Sequence, residues 1–390
     1  MSTWDDLLVV LAETPRENGT AALHRAAEFL RGTLETAGLE VALAPLTAAP
    51  YRLRLAGVVI LAGMILYWRL SRAGRWQGAL AASLVLAVAL LAEIELELPV
   101  WGWLGAETQH VVVARVPARA PERVLAFAAH YDSKTDLLDH VERAPVDWLG
   151  APLLALLPVG ALALRASQRG GRGARVAGRF AGALGWASLV YGILAFAALS
   201  AGAFLPRRSP GALDDGAACA VLVRLAERIA AEPLAHTHVE VWLFPAEEVG
   251  VQGSSAFAAA GFASPPALPV AVVNLEGVGA SAHHVVVSRE RFLLRSFAPD
   301  PALVALLDRV HREQFSRPLG ELPFGGATDA RSFLARGVPA ATLMTLEAGS
   351  PFLRHLHSAR DSRERVDEAA LDASLDYLLA VAQAVDAGQL

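Results

Sequence analysis

Cysteine, lysine and charge are what this 390-residue chain has least of. It carries one cysteine, and only 19% of its residues are Asp, Glu, Lys or Arg. A lone Cys219 excludes an internal disulfide framework, and its place in the run Ala217-Ala218-Cys219-Ala220 reads as core packing. Lys134 is the single lysine, so arginine carries the basic charge. A net charge of −5 gives no global basic surplus, and no nucleic-acid partner is expected. The opening residues Met1 to Asp6 lack the basic start and apolar stretch of a signal peptide.

What is abundant is apolar surface: 54% of residues are hydrophobic and the mean hydropathy is +0.39. The excess is concentrated in two regions. Arg54 and Arg69 enclose 14 uncharged residues, and Trp76 to Ala92 is a further run of 17. Trp148 to Leu164 and Phe180 to Pro206 form a second pair. A bilayer crossing takes about 20 apolar residues, so the expectation is four transmembrane helices in two inserted hairpins, residues 51–100 and 148–206. The turn of the first hairpin carries Arg69, Arg72 and Arg75; that of the second carries Arg165, Arg169, Arg172, Arg175 and Arg179. The opposite ends carry Glu93, Glu95, Glu97 and Asp147, with fewer basic residues nearby: Arg52, Arg54, Arg143, Arg207 and Arg208. By the positive-inside rule the turns lie in the cytoplasm. The expected protein is therefore multi-pass in the cell membrane, with its hydrophilic part outside.

The remaining segments, 1–50, 101–147 and 207–390, read as one discontinuous domain. An amphipathic helix from about Thr20 to Ala37 is stopped by Gly38, and Leu39 to Leu43 alternates as a strand does. Short apolar runs at Val111–Ala114, Val124–Ala128, Val239–Phe244, Val270–Val273 and Ala340–Met344 suit buried parallel strands. Helical patterns fall at Ala217, around Ser254 to Ala260, and at Glu368 to Ala384. Strands alternating with helices predict an α/β three-layer sandwich around a largely parallel mixed sheet.

Five fragments in that domain hold residues that zinc accepts as ligands when it performs hydrolysis. His130 ends a buried strand, and Asp132 stands where it can accept from the far ring nitrogen. Asp214 and Asp215 follow a Ser-Pro-Gly turn, where a carboxylate either bridges two cations or caps the next helix. Glu247 and Glu248 are adjacent carboxylates after a strand, which repel one another unless a metal intervenes. One then ligates and its neighbour takes a proton. Glu276 ends another strand as a terminal ligand. His357 precedes the last helix, with His355 two residues away as a competitor. His283 and His284 read as an exposed turn before Val285 to Val287. Two Zn2+ balance three ligating carboxylates plus one hydroxide, which favours two metals per chain.

Together these fragments resemble metallopeptidase family 28, the di-zinc aminopeptidases related to aminopeptidase Y. The likeness extends to Thr14-Pro15-Arg16, to the stretch Thr328 to Phe333, and to Gly337-Val338-Pro339-Ala340. The resemblance implies that His130 and Glu276 hold one zinc and Glu248 and His357 the other. Asp214 bridges them, next to a cis Asp214–Asp215 peptide, and Glu247 is the general base. Glu276 stands where many members have Asp. A peptide substrate and a lipid bilayer are the implied partners; the oligomeric state is left open. Glutaminyl cyclases, single-zinc acyltransferases, are similar at His130 to Lys134 and around Asp214, whereas Glu247 to Ser254 looks peptidase-like. A catalytically inactive membrane scaffold of the same fold is the third reading. Such relatives lose ligands that are all present here.

Overall fold

A computed structural model describes residues 4–261, 268–291, 294–323, 326–347, 349–350 and 352–390. The chain divides into two units: Met1–Pro50, Gly105–Thr135 and Arg207–Leu390 form the first, and Tyr51–Leu104 with Asp136–Pro206 the second.

The first unit is built on one eight-stranded sheet. Its strands are β1 (Glu40–Ala48), β2 (Glu107–Val116), β3 (Arg123–His130), β4 (Thr237–Phe244), β5 (Val270–Glu276), β6 (His284–Val287), β9 (Gly320–Leu322) and β10 (Ala340–Thr345). A two-stranded ribbon, β7 (Glu290–Arg291) with β8 (Ser296–Phe297), stands apart. The order across the large sheet is β1-β2-β4-β3-β5-β10-β6-β9. β4, β3, β5 and β10 run parallel, so their carboxyl ends lie along one edge. β1, β2 and β6 supply the antiparallel pairings.

Both faces are covered, as a continuous apolar run such as Val241-Trp242-Leu243-Phe244 on a central strand requires. Val239, Val241 and Leu243 of β4 join the core built with α1 (Asp5–Leu11), α2 (Ala21–Thr36), α7 (Ala217–Ala231), α9 (Pro301–Phe315) and α11 (Glu368–Asp386). Trp242 and Phe244 point to the other face, which is closed by α8 (Gln252–Ala259) and α10 (Ala330–Leu334). There the Trp242 ring lies 5.1 Å from Phe257 and 5.3 Å from Phe333. This is the mixed, mostly parallel sandwich that the strand and helix patterns predict.

Two features depart from the sequence reading. Helices α1, α9 and α10 are additional to those the sequence patterns predict; Asp300 caps α9 by accepting from the Leu303 amide at 2.9 Å, and Pro301 sits in its first turn. His284 is not in an exposed turn. It opens β6, is buried, and its Nε2 lies 2.9 Å from Ser374 Oγ. Tertiary packing overrides the turn reading: the ring sits among His311, Phe315 and Tyr377, at centroid distances of 5.8, 5.3 and 5.1 Å.

The second unit is four helices: α3 (Arg52–Arg72), α4 (Trp76–Leu90), α5 (His140–Gln168) and α6 (Ala174–Leu199). α3 packs on α4 and α6, and α5 packs on α4 and α6, so the four close into a ring. All are long and apolar enough to cross a membrane, with α4 continuing helically to Glu95. At 1.5 Å per residue, even the 20-residue span Trp76–Glu95 covers about 30 Å, against a hydrocarbon core of about 30 Å. Six of the eight tryptophans lie in this unit. Where the first hairpin ends, Glu93 is buried and fully used. It takes Arg52 Nε at 2.9 Å on one oxygen, and the amides of Trp101 and Gly102 at 2.8 and 3.1 Å on the other.

Burial holds the His284 pKa down at about 3, helped by His311 and Arg317. The folded chain thus binds its proton less readily than the unfolded chain, whose histidines titrate near pH 6.5. The stability this neutral ring confers is complete above about pH 6.5 and is lost as pH falls toward about 3, by up to about 1.4 kcal/mol per pH unit. Thermal midpoints of wild type and His284→Leu, measured from neutral to mildly acid pH, should converge as the pH is lowered. A constant gap between the two proteins would contradict this.

Candidate metal centre

The site is assembled along the carboxyl edge of the parallel strands. His130 is the last residue of β3 and Glu276 the last of β5, while Glu247 and Glu248 follow β4 after Pro245 and Ala246. Asp214 lies in the turn that leads into α7, and His357 in the loop ahead of α11. Two backbone features shape these loops. Gly211 has a φ of +65°, and a Cβ there would meet Asp214 O at 2.5 Å. Gly253 passes Pro245 so closely that a Cβ would lie 1.9 Å from its carbonyl oxygen. Neither position tolerates a side chain.

Asp214 stands between the two imidazoles. One oxygen is 3.1 Å from His130 Nε2 and the other 3.0 Å from His357 Nε2. Each imidazole also faces a second carboxylate: Glu276 Oε1 is 3.4 Å from His130 Nε2, and Glu248 Oε2 is 3.1 Å from His357 Nε2. The ligating atoms thus gather into two groups, one with His130 and Glu276, the other with Asp214, Glu248 and His357. Asp215 is close enough to join the first group. Its oxygens, however, already accept from the backbone amides of His130 at 3.3 Å and Gly277 at 3.1 Å. Asp214 is therefore the carboxylate that stands between the two groups, and Asp215 clamps the ends of β3 and β5 together. The Asp214–Asp215 peptide is cis. His355, the competitor of His357, belongs to neither group.

Asp132 organises the centre from below. The Nδ1 of His130 is 3.1 Å from the Asp132 carbonyl oxygen and 3.4 Å from its carboxylate. Donation from Nδ1 fixes the tautomer and leaves the Nε2 lone pair for a metal. The Asp132 carboxylate also accepts from the amides of Glu247 at 3.2 Å and Glu248 at 3.1 Å, and from Asn18 Nδ2 at 2.6 Å. Asp361 plays the same part on the other side, accepting from the amides of Leu213 at 2.8 Å and Asp214 at 3.2 Å. Arg16 ties the two loops: its guanidinium donates to the carbonyls of Tyr131 at 2.7 Å, Pro210 at 2.6 Å and Gly211 at 2.9 Å. In the sequence Arg16 stands within Thr14-Pro15-Arg16, and no local pattern marks its role or that of Asp361. Asn18 gave no signal at all.

The electrostatics fit cations. Burial opposes charge on the His130 ring, but Glu276, Asp132 and Asp214 outweigh it and hold its pKa well above the usual value. Burial raises Glu276 to about 8, reinforced by Asp214 and Asp329 against the pull of His130. Glu247 is held well above the usual range by burial of its carboxyl, with Glu276, Glu248 and Asp329 adding to the rise against His130. Buried carboxylates in such numbers are tolerated when they are paired or coordinate a metal. Two oxygens, Glu248 Oε1 and Glu276 Oε2, are buried with no hydrogen-bond partner among the described residues. With two imidazole Nε2 atoms and carboxylate oxygens, this is a donor set that suits zinc.

Removing the Asp132 carboxylate orphans the donors it receives and frees the His130 ring. Asp132→Ala should weaken zinc binding about 10–100-fold and cost about 1–3 kcal/mol for each buried donor left unpaired. Competition with a chromophoric chelator and thermal unfolding would measure the two effects. Wild-type zinc affinity in this variant would remove Asp132 from the scheme.

A family profile, that of Peptidase family M28, matches residues 197–382. The matched region contains Asp214, Glu247, Glu248, Glu276 and His357; His130 and Asp132 lie upstream of it. A comparison with curated proteins gives no match. Among solved structures, a Zn-dependent exopeptidase from Parabacteroides distasonis is 14% identical, with a TM-score of 0.55 over 97% of this chain and 96% of its own. The LapA aminopeptidase of Legionella pneumophila is 13% identical, with a TM-score of 0.54 over 98% of this chain and 70% of its own. A glutaminyl cyclase from Porphyromonas gingivalis is 12% identical, with a TM-score of 0.56 over 97% of this chain and 96% of its own. At these identities the likeness is one of fold, and aminopeptidases and cyclases share it. Over residues 197–382, just under half of its length, the chain is similar to Peptidase family M28, and it shares the fold of these zinc-dependent structures over nearly its whole length.

Proposed function

We propose that the protein is a membrane-embedded zinc aminopeptidase with a dinuclear site. The observation that carries this reading is Asp214, whose two oxygens each face a different imidazole Nε2, with a further carboxylate beside each. Such a set of five ligands suits two ions, His130 and Glu276 on one and Glu248 and His357 on the other. Zinc, when bound, supplies Lewis acidity to the scissile carbonyl and lowers the pKa of a nearby water. Glu247 is the residue of the chain that takes the proton. It is partly open to solvent, its backbone is pinned by Asp132, and burial with the neighbouring acids raises its proton affinity, which favours a proton acceptor. Having accepted a proton from the attacking water, Glu247 delivers it to the leaving amine. Asp132, Asp215 and Asp361 position the ligands without touching the substrate.

The cyclase-like fold neighbours give a second reading with its own product. A cyclase releases ammonia from an N-terminal glutamine and leaves the peptide otherwise whole, whereas an aminopeptidase releases a free amino acid. Mass spectrometry of peptide substrates should find shortened peptides, and elemental analysis after zinc equilibration should find two ions per chain. Glu247→Gln should lower turnover about 100-fold or more while retaining both ions, since a general base contributes about 10²–10⁴-fold. Turnover unchanged by this substitution would remove Glu247 from the mechanism.

We further infer that the four helices span the cell membrane with both arginine-rich turns in the cytoplasm and the peptidase unit outside, on the charge asymmetry of the hairpin ends. Cys219 is buried, so single cysteines introduced at Arg172 and at Arg317 report sidedness cleanly. In intact cells an impermeant thiol reagent should label the second and spare the first; the reverse pattern would invert the topology.

A further inference from the structure

One end of the four-helix unit is electrostatically unbalanced. Eight arginines lie there, around the turns between α3 and α4 and between α5 and α6. No acidic residue occurs from residue 41 to 92 or from 148 to 213. The two turns touch, with Gln168 Nε2 donating to the Gly74 carbonyl at 2.6 Å, so their charge is pooled. The C-terminal dipoles of α3 and α5 account for Arg69, Arg72 and Arg165, each in a last turn. They do not account for the others. Arg75 precedes α4, and Arg175 and Arg179 lie in the first turns of α6, where positive charge meets the positive end of a helix. Neither of those helix starts has a side-chain cap.

Two of the guanidiniums are held against rings. Arg165 lies 4.5 Å over Trp76 and Arg72 lies 5.8 Å over Trp186, which itself packs on Trp68 at 5.3 Å. Stacking uses the face of a guanidinium and leaves its edge N–H groups for hydrogen bonds, the geometry that suits a phosphate. Tryptophan beside arginine at the end of an apolar helix marks the level of lipid headgroups. What balances this end must be anionic, phosphate-like and located at the membrane surface. We propose that the arginine-rich end binds the headgroup phosphates of anionic phospholipid, held by Arg72, Arg165 and the exposed Arg169 and Arg172. The inference rests on the membrane-embedded reading above.

The test uses the full chain in detergent micelles, titrated with phosphatidylglycerol or with phosphatidylcholine. Bound lipid is followed by native mass spectrometry and stability by thermal unfolding. Phosphatidylglycerol should bind at least about tenfold more tightly, a conservative figure when each basic residue at an anionic surface contributes about 1 kcal/mol. Replacing Arg72, Arg165, Arg169 and Arg172 together by Gln should abolish the preference. Should that variant misfold, wild type alone decides: its preference must fall as salt is raised. Equal binding of both lipids overturns the proposal, as does a salt-independent preference or the same stabilisation by inorganic phosphate without lipid. A chain that partitions into detergent yet shows no preference overturns this inference alone. One that stays in the aqueous phase overturns the membrane reading beneath it.

Discussion

Repulsion among buried carboxylates is the constraint to which the rest of the peptidase unit answers. Asp214, Asp215, Glu247, Glu248 and Glu276 crowd around two imidazoles at one edge of the sheet. Left alone, such a cluster would take up protons or push its loops apart. The fold prevents the second outcome by giving nearly every loop a backbone donor to a neighbouring acid: His130 and Gly277 to Asp215, Glu247 and Glu248 to Asp132, Leu213 and Asp214 to Asp361. Cations relieve the first. The same crowding that makes the site costly is what suits it to divalent metal.

Much of this was written in the sequence as strand ends. A buried apolar run that finishes in His or in Glu-Glu has no packing reason to do so, and those residues come together because β3, β4 and β5 are parallel neighbours. Most helices of both units are legible in the same way, from apolar periodicity or from long uncharged runs; α1, α9 and α10 are not. The signal for α9 is its Asp300-Pro301 start, a cap that apolar runs alone do not reveal. His284 was misplaced because a pair of polar residues before a strand resembles a turn until the helices that bury it are known. Arg16 and Asn18 were beyond reach for a physical reason. Their partners lie more than a hundred positions away, and no local pattern encodes them.

The two units also use different means to satisfy buried polarity. In the sandwich, buried acids are spread over backbone amides. In the four-helix unit, a single acid, Glu93, gathers the Arg52 guanidinium and the Trp101 and Gly102 amides where the first hairpin returns to the sheet. The sparse charge of the chain is thus placed rather than absent: acids at the ligand edge and the hairpin exits, arginine at the turns.

Arg16 has a consequence for the order in which the molecule comes together. Its guanidinium is wholly buried, and the carbonyls of Tyr131, Pro210 and Gly211 that receive it are 115, 194 and 195 positions downstream. Both hairpins are synthesised in between. Until residue 211 has left the ribosome, burying this cation is unfavourable, so the amino-terminal segment must wait outside the core. The sandwich therefore closes late, by contacts of long sequence separation, which fold slowly and leave strand edges open meanwhile. For a chain of this design, maturation of the peptidase is bound to follow translation of the helices that interrupt it.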